Sequence, residues 1–205
     1  MATANNLDTD SLALMHGALN LLSSVGFTFV DLPWAVYSMY SDATRPKDAR
    51  DFETPLGSLV ASGEQSFLQM WNRRELPPLL SSLGYVGWTP CFRDEPVHDE
   101  LHQGAFLKVE WFVPFPKDPG NELQALLEIQ KVVFISMAQM VGVDHDTAKA
   151  GIEVEQTDTH AYDINVGGIE IGSYGLRYFM GGIYLYGTGL ALPRFNVAFA
   201  KLRNK

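Results

Sequence analysis

Cysteine is almost missing from this chain: Cys91 is the single one. One thiol allows no intrachain disulfide and no cysteine-ligated zinc cluster, so a reducing, cytoplasmic setting is expected. Long apolar runs are missing too. None approaches the roughly 20 residues that span a bilayer as a helix, and the polar, acidic start MATANNLDTD is unlike a signal peptide. No membrane partner is expected. Positive charge is scarce, with 15 Lys and Arg against 24 Asp and Glu, a net charge of −9. Nucleic-acid binding draws on basic surface that neutralises phosphates. Here the densest basic group is Lys201, Arg203 and Lys205 at the C-terminal end. This balance argues against tight, autonomous RNA binding. Internal repeats and low-complexity tracts are absent as well.

What is present is apolar material. Hydrophobic residues make up 46% of 205 residues, enough for one buried core in a single domain over residues 1–205. Apolar residues at helical spacing predict a helix over Ser11–Ser24, ended by Gly26, then a strand from Phe27 to Val30 running to Pro33. Ser41–Glu53 reads as a loop, Leu56–Ala61 as a short strand and Glu64–Trp71 as a helix that Pro77 and Pro78 break off. Gly84–Phe92 and Phe106–Val113 read as antiparallel partners across the polar loop Pro96–Gly104. Asn121–Met140 reads as a long amphipathic helix. Strands follow at Ile152–Glu155, Ala161–Val166, Ile169–Tyr174 and Ile183–Tyr186, with a closing helix over Leu190–Leu202. The expected fold is α+β, a mixed, mainly antiparallel sheet flanked by helices.

Several charges interrupt these apolar strands. Arg93 and Glu95 end one strand, Lys108 and Glu110 share a period-2 phase on its partner, Glu170 sits inside GGIEIGSYG, and Arg194 follows GTGLALP. Burying an unpaired charge is costly, so such residues need partners. Together they describe a surface with two arginines and several carboxylates, suited to a ligand that carries both phosphates and an amine. ATP-dependent activation of a carboxylic acid has these needs. Two anions must meet, arginine forks hold them, and Mg2+ on one or two carboxylates neutralises the leaving pyrophosphate.

With these residues in view, the chain resembles class II aminoacyl-tRNA synthetases, the seryl-tRNA synthetase catalytic core most closely. The helix followed by VGFTFVDLP resembles the first class motif, which in the family forms the dimer interface, so the resemblance implies a homodimer through Leu12 to Pro33. LVASGEQSF resembles the seryl segment centred on Thr-Ala-Glu, with Ser62 and Glu64 on its threonine and glutamate. YVGWTPCFRDE and FLKVEWF resemble the two strands of the second motif. By that correspondence Arg93 grips the α-phosphate, Glu95 lies near the adenine, Phe106 stacks against it, and Glu110 faces the amino acid. AYDINVGGIEIGS aligns Glu170 and Ser173 with a metal-coordinating pair. GTGLALPR resembles the third motif, which puts Arg194 on the γ-phosphate and Thr188 beside the substrate side chain.

The resemblance implies a catalytic core that joins ATP and serine or another small amino acid as an aminoacyl-adenylate. Arg93 and Arg194 would be the catalytic residues; Ser62, Glu64, Glu110 and Thr188 would bind the amino acid; ATP and Mg2+ would bind with it. The chain departs from the seryl pattern in three ways. Residues 1–205 are expected to form neither the family's N-terminal tRNA-holding arm nor an anticodon-binding domain. The loop before Phe106 lacks the family's usual arginine, with His102 near that position. Ala161 stands before Tyr162, and only Arg177 remains near GLRYF. The expected function is therefore amino-acid activation with transfer to an acceptor other than tRNA: a carrier-protein thiol, a small-molecule amine or a protein side chain. A minimal tRNA-aminoacylating ligase and a non-catalytic amino-acid sensor are the alternatives.

Overall fold

The structure, a computed structural model, describes residues 9–45, 50–79, 83–94, 97 and 99–203. Along the chain run α1 (Thr9–Ser24), β1 (Thr28–Phe29), β2 (Ala35–Val36), α2 (Ser38–Ser41), β3 (Glu53–Thr54), β4 (Gly57–Leu59) and α3 (Gly63–Asn72). Then come β5 (Tyr85–Phe92), β6 (Ala105–Pro114), α4 (Pro119–Met140), α5 (His145–Gly151), β7 (Ile152–Asp158), β8 (Ala161–Val166), β9 (Ile169–Phe179), β10 (Gly182–Leu192) and α6 (Arg194–Arg203). Among the described residues, seven strands form one sheet in the order β1-β5-β6-β10-β9-β8-β7. Only β1–β5 is a parallel pair. A small antiparallel sheet, β2-β4-β3, lies apart from it. The α+β, mainly antiparallel expectation holds.

Alternation along the strands sorts side chains between the two faces. On β6, Val109, Trp111 and Val113 join the larger core, together with Leu14, Ala18 and Leu22 of α1, Leu127 and Phe134 of α4, and Phe195 and Phe199 of α6. One sheet face is thus sealed by α1, α4 and α6. The opposite face is covered at one end only, where Phe67 and Leu68 of α3 meet Tyr85, Phe112 and Tyr184 in a second, smaller core. Farther along that face, among the described residues, Glu110 and Thr188 are buried, Arg93, Lys108 and Arg194 are half-buried, and Glu170 is exposed.

The helices start where local chemistry dictates. Ser62 caps α3, its hydroxyl accepting from Glu64 N–H. Asp118 caps α4, Pro119 follows it, and Glu122 reaches back to accept from the Lys117 and Asp118 N–H groups. Gly26, at φ 115°, turns the chain out of α1. A buried polar link ties α4 to the sheet: Trp111 Nε1 donates to Gln130 Oε1 at 3.3 Å, and Gln130 Nε2 donates to Gly189 O at 2.9 Å.

One expectation needs correction. The closing helix does not begin at Leu190: β10 runs through Leu192, and α6 starts at Arg194. The strand expected over Ile183–Tyr186 instead continues through Gly187 and Gly189. A Cβ at Gly187 would overlap the indole of Trp111, and one at Gly189 would press on Leu22 and Val109, so these glycines serve close packing. β9 likewise extends past Tyr174 to Phe179. The seven-residue α5, capped by Asp144, is too short to show a helical period and was not foreseen. Gly187→Ala is expected to destabilise the protein by about 1–3 kcal/mol through overpacking. Gly120→Ala, with no neighbour within 4 Å of the new methyl, should leave the thermal midpoint nearly unchanged. Circular dichroism melts of the two variants check this.

Candidate active site

Two one-residue register shifts build the open face. Between β6 and β10, Thr188 pairs with Glu110 and Leu190 with Val109, leaving Gly189 as the extra residue. Between β8 and β9, Asn165 pairs with Glu170 and Ile164 with Gly172, leaving Ile171 extra. Each shift resets the two-residue phase. Thr188 therefore lies beside Glu110 on the open face while Leu190 enters the core. Glu170 and Ser173, three positions apart, end on the same face, paired with Asn165 and Asp163 of β8.

At one end of this face is a cleft of about 460 Å³, including its open mouth, lined by Arg93, Phe106, Lys108, Glu170, Thr188 and Arg194 among others. Arg93 follows the last residue of β5. Its Nε donates to Ala61 O at 3.2 Å, and its guanidinium lies 5.0 Å from the Phe106 ring centroid. Arg194 opens α6. Its Nη1 is 3.4 Å from Glu170 Oε2, and its Nε donates to Leu101 O at 3.4 Å. Two guanidinium groups 101 positions apart in the chain thus face one cavity with Phe106 and Glu170. Leu101 and Gln103 complete the rim. His102 turns to Asp99, with Nδ1 and Oδ1 2.9 Å apart. Glu95 and His98 lie outside the described residues.

The neighbouring part of the face holds the residues expected at the amino acid. Glu110 is buried and accepts three hydrogen bonds: Lys108 Nζ donates at 2.7 Å, Ser62 Oγ at 2.6 Å, and the Gly63 N–H at the start of α3 also donates to it. Burial pushes the Glu110 carboxyl up, but these donors outweigh it and hold the group below its ordinary value. Glu64 is buried between Arg177 and Tyr184. Thr188 Oγ1 accepts from Ser173 N–H at 3.3 Å. Asp163 hydrogen-bonds Ser173, and burial together with the nearby Glu170 pushes its carboxyl up.

No family model and no curated protein matches the sequence. Solved structures do match. Seryl-tRNA synthetase from Pyrococcus horikoshii, complexed with ATP, superposes on 91% of this chain at TM-score 0.62 and 22% identity, over 49% of its own length. Cytoplasmic serine-tRNA ligase from Naegleria fowleri, in complex with AMP, covers 92% of the chain at TM-score 0.66 and 15% identity, over 47% of its length. Pyrrolysyl-tRNA synthetase from Desulfitobacterium hafniense covers 91% at TM-score 0.64 and 16% identity, over 68% of its length. The chain has the fold of a class II aminoacyl-tRNA synthetase core. It spans about half the length of the two seryl enzymes.

On this class II fold the sequence-predicted residues fall into two adjoining groups. Arg93, Phe106, Glu170, Thr188 and Arg194 line the cleft. Ser62, Glu64, Glu110 and Ser173 surround the polar row next to it. Sequence reasoning missed Tyr184, Tyr186 and Asp163, and it left Arg177 without a role. Arg177 carried the same signal as Glu170, a charge inside an apolar strand, yet its partner Glu64 lies 113 positions away. Among the described residues no helix is long and apolar enough to cross a membrane.

Proposed function

We propose that this protein activates an amino acid with ATP, forming an aminoacyl-adenylate and releasing pyrophosphate. The observation that carries the reading is the convergence of Arg93 and Arg194 on one cleft with Phe106 and Glu170. In the reaction a carboxylate oxygen attacks the α-phosphorus and the bond to the pyrophosphate oxygen breaks, with negative charge building on phosphate oxygens. Arginines preorganised around that charge stabilise the transition state, and no protein acid or base is required. Arg93 moves off the Phe106 ring onto the α-phosphate as adenine takes that face. Arg194 holds the γ-phosphate. Glu64 and Glu110 face the ammonium group, and Thr188 lies beside the amino-acid side chain, which in this reading is that of serine or another small amino acid.

The donor set also suits magnesium. Glu170 and Ser173 present hard oxygens on one face. Among the described residues no cluster of three or more acidic, His or Cys ligands forms a closed cage. Magnesium is held in this manner, by one or two carboxylates with phosphates completing the shell. When bound it would neutralise the leaving pyrophosphate.

The net charge of −9 favours a non-tRNA acceptor, whether a carrier-protein thiol, a small amine or a protein side chain. A homodimer through Leu12 to Pro33 is part of the reading. Leu12, Val25 and Phe29 are apolar and exposed there, surface that a second copy would cover. A reducing, cytoplasmic setting fits the single buried thiol of Cys91, which burial pushes up to about 11. The test is ATP–pyrophosphate exchange on purified protein across the standard amino acids. Exchange stimulated by one or a few small amino acids is expected. Binding of ATP or of an amino acid without any exchange would favour a sensor.

A further inference from the structure

Next to the cleft lies one charge pair that the adenylation chemistry does not call for. Glu64, near the start of α3, has a side chain only 6% exposed, and both of its oxygens are engaged. Arg177 Nη1 donates to Oε2 at 2.5 Å, and the Tyr184 hydroxyl donates to Oε1 at 2.7 Å. Arg177 itself is 40% exposed, and its guanidinium lies 4.0 Å from the Tyr186 ring centroid. The carboxylate is inside and the cation stands at the rim, stacked on an aromatic face that fixes its position.

A carboxyl buried this deeply takes up a proton unless a cation holds it ionised. Once protonated it cannot form an ion pair with an ammonium group. Each carboxylate oxygen carries two lone-pair sites, and Arg177 and Tyr184 use one on each, so acceptor capacity remains. We propose that Arg177 is a positioning residue that keeps Glu64 ionised and oriented toward the substrate ammonium group, without itself touching the substrate. The proposal rests on the reading of Glu64 as an ammonium acceptor.

The groups acting on Glu64 come from three strands of the sheet: Arg177 of β9, Tyr184 and Tyr186 of β10, and Glu110 of β6 with its partner Lys108. Burial pushes the Glu64 carboxyl up, Arg177 and Tyr184 pull it down, and Glu110 pushes it up; the net position is above its ordinary value. Removing the cation therefore moves it further up. The cation is secure: although burial disfavours its charge, Glu64 holds the Arg177 guanidinium above its ordinary value. Burial and Glu64 together push the Tyr184 phenol up, so it stays a donor.

The experiment compares the wild-type chain with Arg177→Gln and Arg177→Lys. Amino-acid KM and kcat are measured by pyrophosphate exchange at several pH values, and the Glu64 carboxyl is titrated by carbon-13 NMR, assigned with Glu64→Gln. Arg177→Gln should raise the amino-acid KM, by about tenfold at a pH one unit below the raised carboxyl pKa, where only about a tenth of the carboxyl stays ionised. Its kcat should change little, and KM should fall again as the pH rises. The Glu64 titration should move up by about one unit or more, and Arg177→Lys should restore most of both. A folded Arg177→Gln variant with an unmoved Glu64 titration overturns the proposal. So does a KM defect equal at all pH values, or one confined to amino acids with anionic side chains, which would make Arg177 a substrate contact. If Arg177→Gln does not fold, the double variant Glu64→Gln/Arg177→Gln removes both charges. It should then show a high KM independent of pH, and a wild-type KM there overturns the proposal. Should the wild type exchange with no amino acid, the adenylation reading falls, while the carboxyl titration still decides whether Arg177 sets the ionisation of Glu64.

Discussion

Arg93→Ala is expected to lower amino-acid-dependent pyrophosphate exchange by about 100- to 1000-fold in kcat, the scale of losing one preorganised donor from a transition state. The fold should barely notice. Arg93 is half-buried at the end of β5, and among the described residues its side chain donates one bond to Ala61 O and lies over the Phe106 ring. Such contacts are worth roughly 0.5–1.5 kcal/mol each. A melt within a few degrees of wild type together with lost exchange separates chemistry from folding. Exchange that survives the substitution would remove Arg93 from the reaction and leave Arg194 as the only arginine on the phosphates.

Glu110→Ala is expected to do the opposite and destabilise the protein strongly. The carboxylate joins the start of α3, through Ser62 and the Gly63 N–H, to the sheet, and it neutralises Lys108, whose side chain is only 14% exposed. Deleting one partner of a buried pair leaves an uncompensated charge and costs about 3–5 kcal/mol. At roughly 2–4 °C per kcal/mol for a chain of this size, the thermal midpoint should fall by about 10 °C. The pH dependence follows from the direction of the shift. The folded carboxyl sits below the ordinary value of 4.5, so its contribution is complete above that value and is lost as the pH falls through the folded one. Wild-type stability should therefore fall on acidification by an increment that Glu110→Ala lacks. Glu64 has the opposite sign. Its folded value is raised, so its contribution is present below the unfolded value and is lost as the pH rises through the folded one. Urea titrations at acid and neutral pH on both proteins measure the difference. Equal acid dependence would mean that Glu110 is not held in its charged form.

Much of the site was legible because charge is expensive inside an apolar strand. Arg93, Glu110, Glu170 and Arg194 stand out in the sequence for that reason, and strand periodicity alone puts Lys108 on the face of Glu110. The α+β class, the long helix ending at Met140 and the hairpin of β5 and β6 are local properties, set by spacing and turn residues, and they are where the sequence places them. The glycines of β10 misled, because a glycine that ends a strand and one that makes room for Trp111 look alike until the neighbour is known.

Three features were decided by tertiary structure alone. Glu170 and Ser173 would point to opposite faces of a regular strand, and the register shift at Ile171 brings them together. Leu190, two positions after Thr188, turns into the core through the similar shift at Gly189. Arg177 meets Glu64 because the start of α3 lies against the sheet that contains β9. A sequence carries the direction in which each residue is buried, since that depends on a short local period. It does not carry which residues meet across strands, since one unpaired residue resets the phase of everything beyond it.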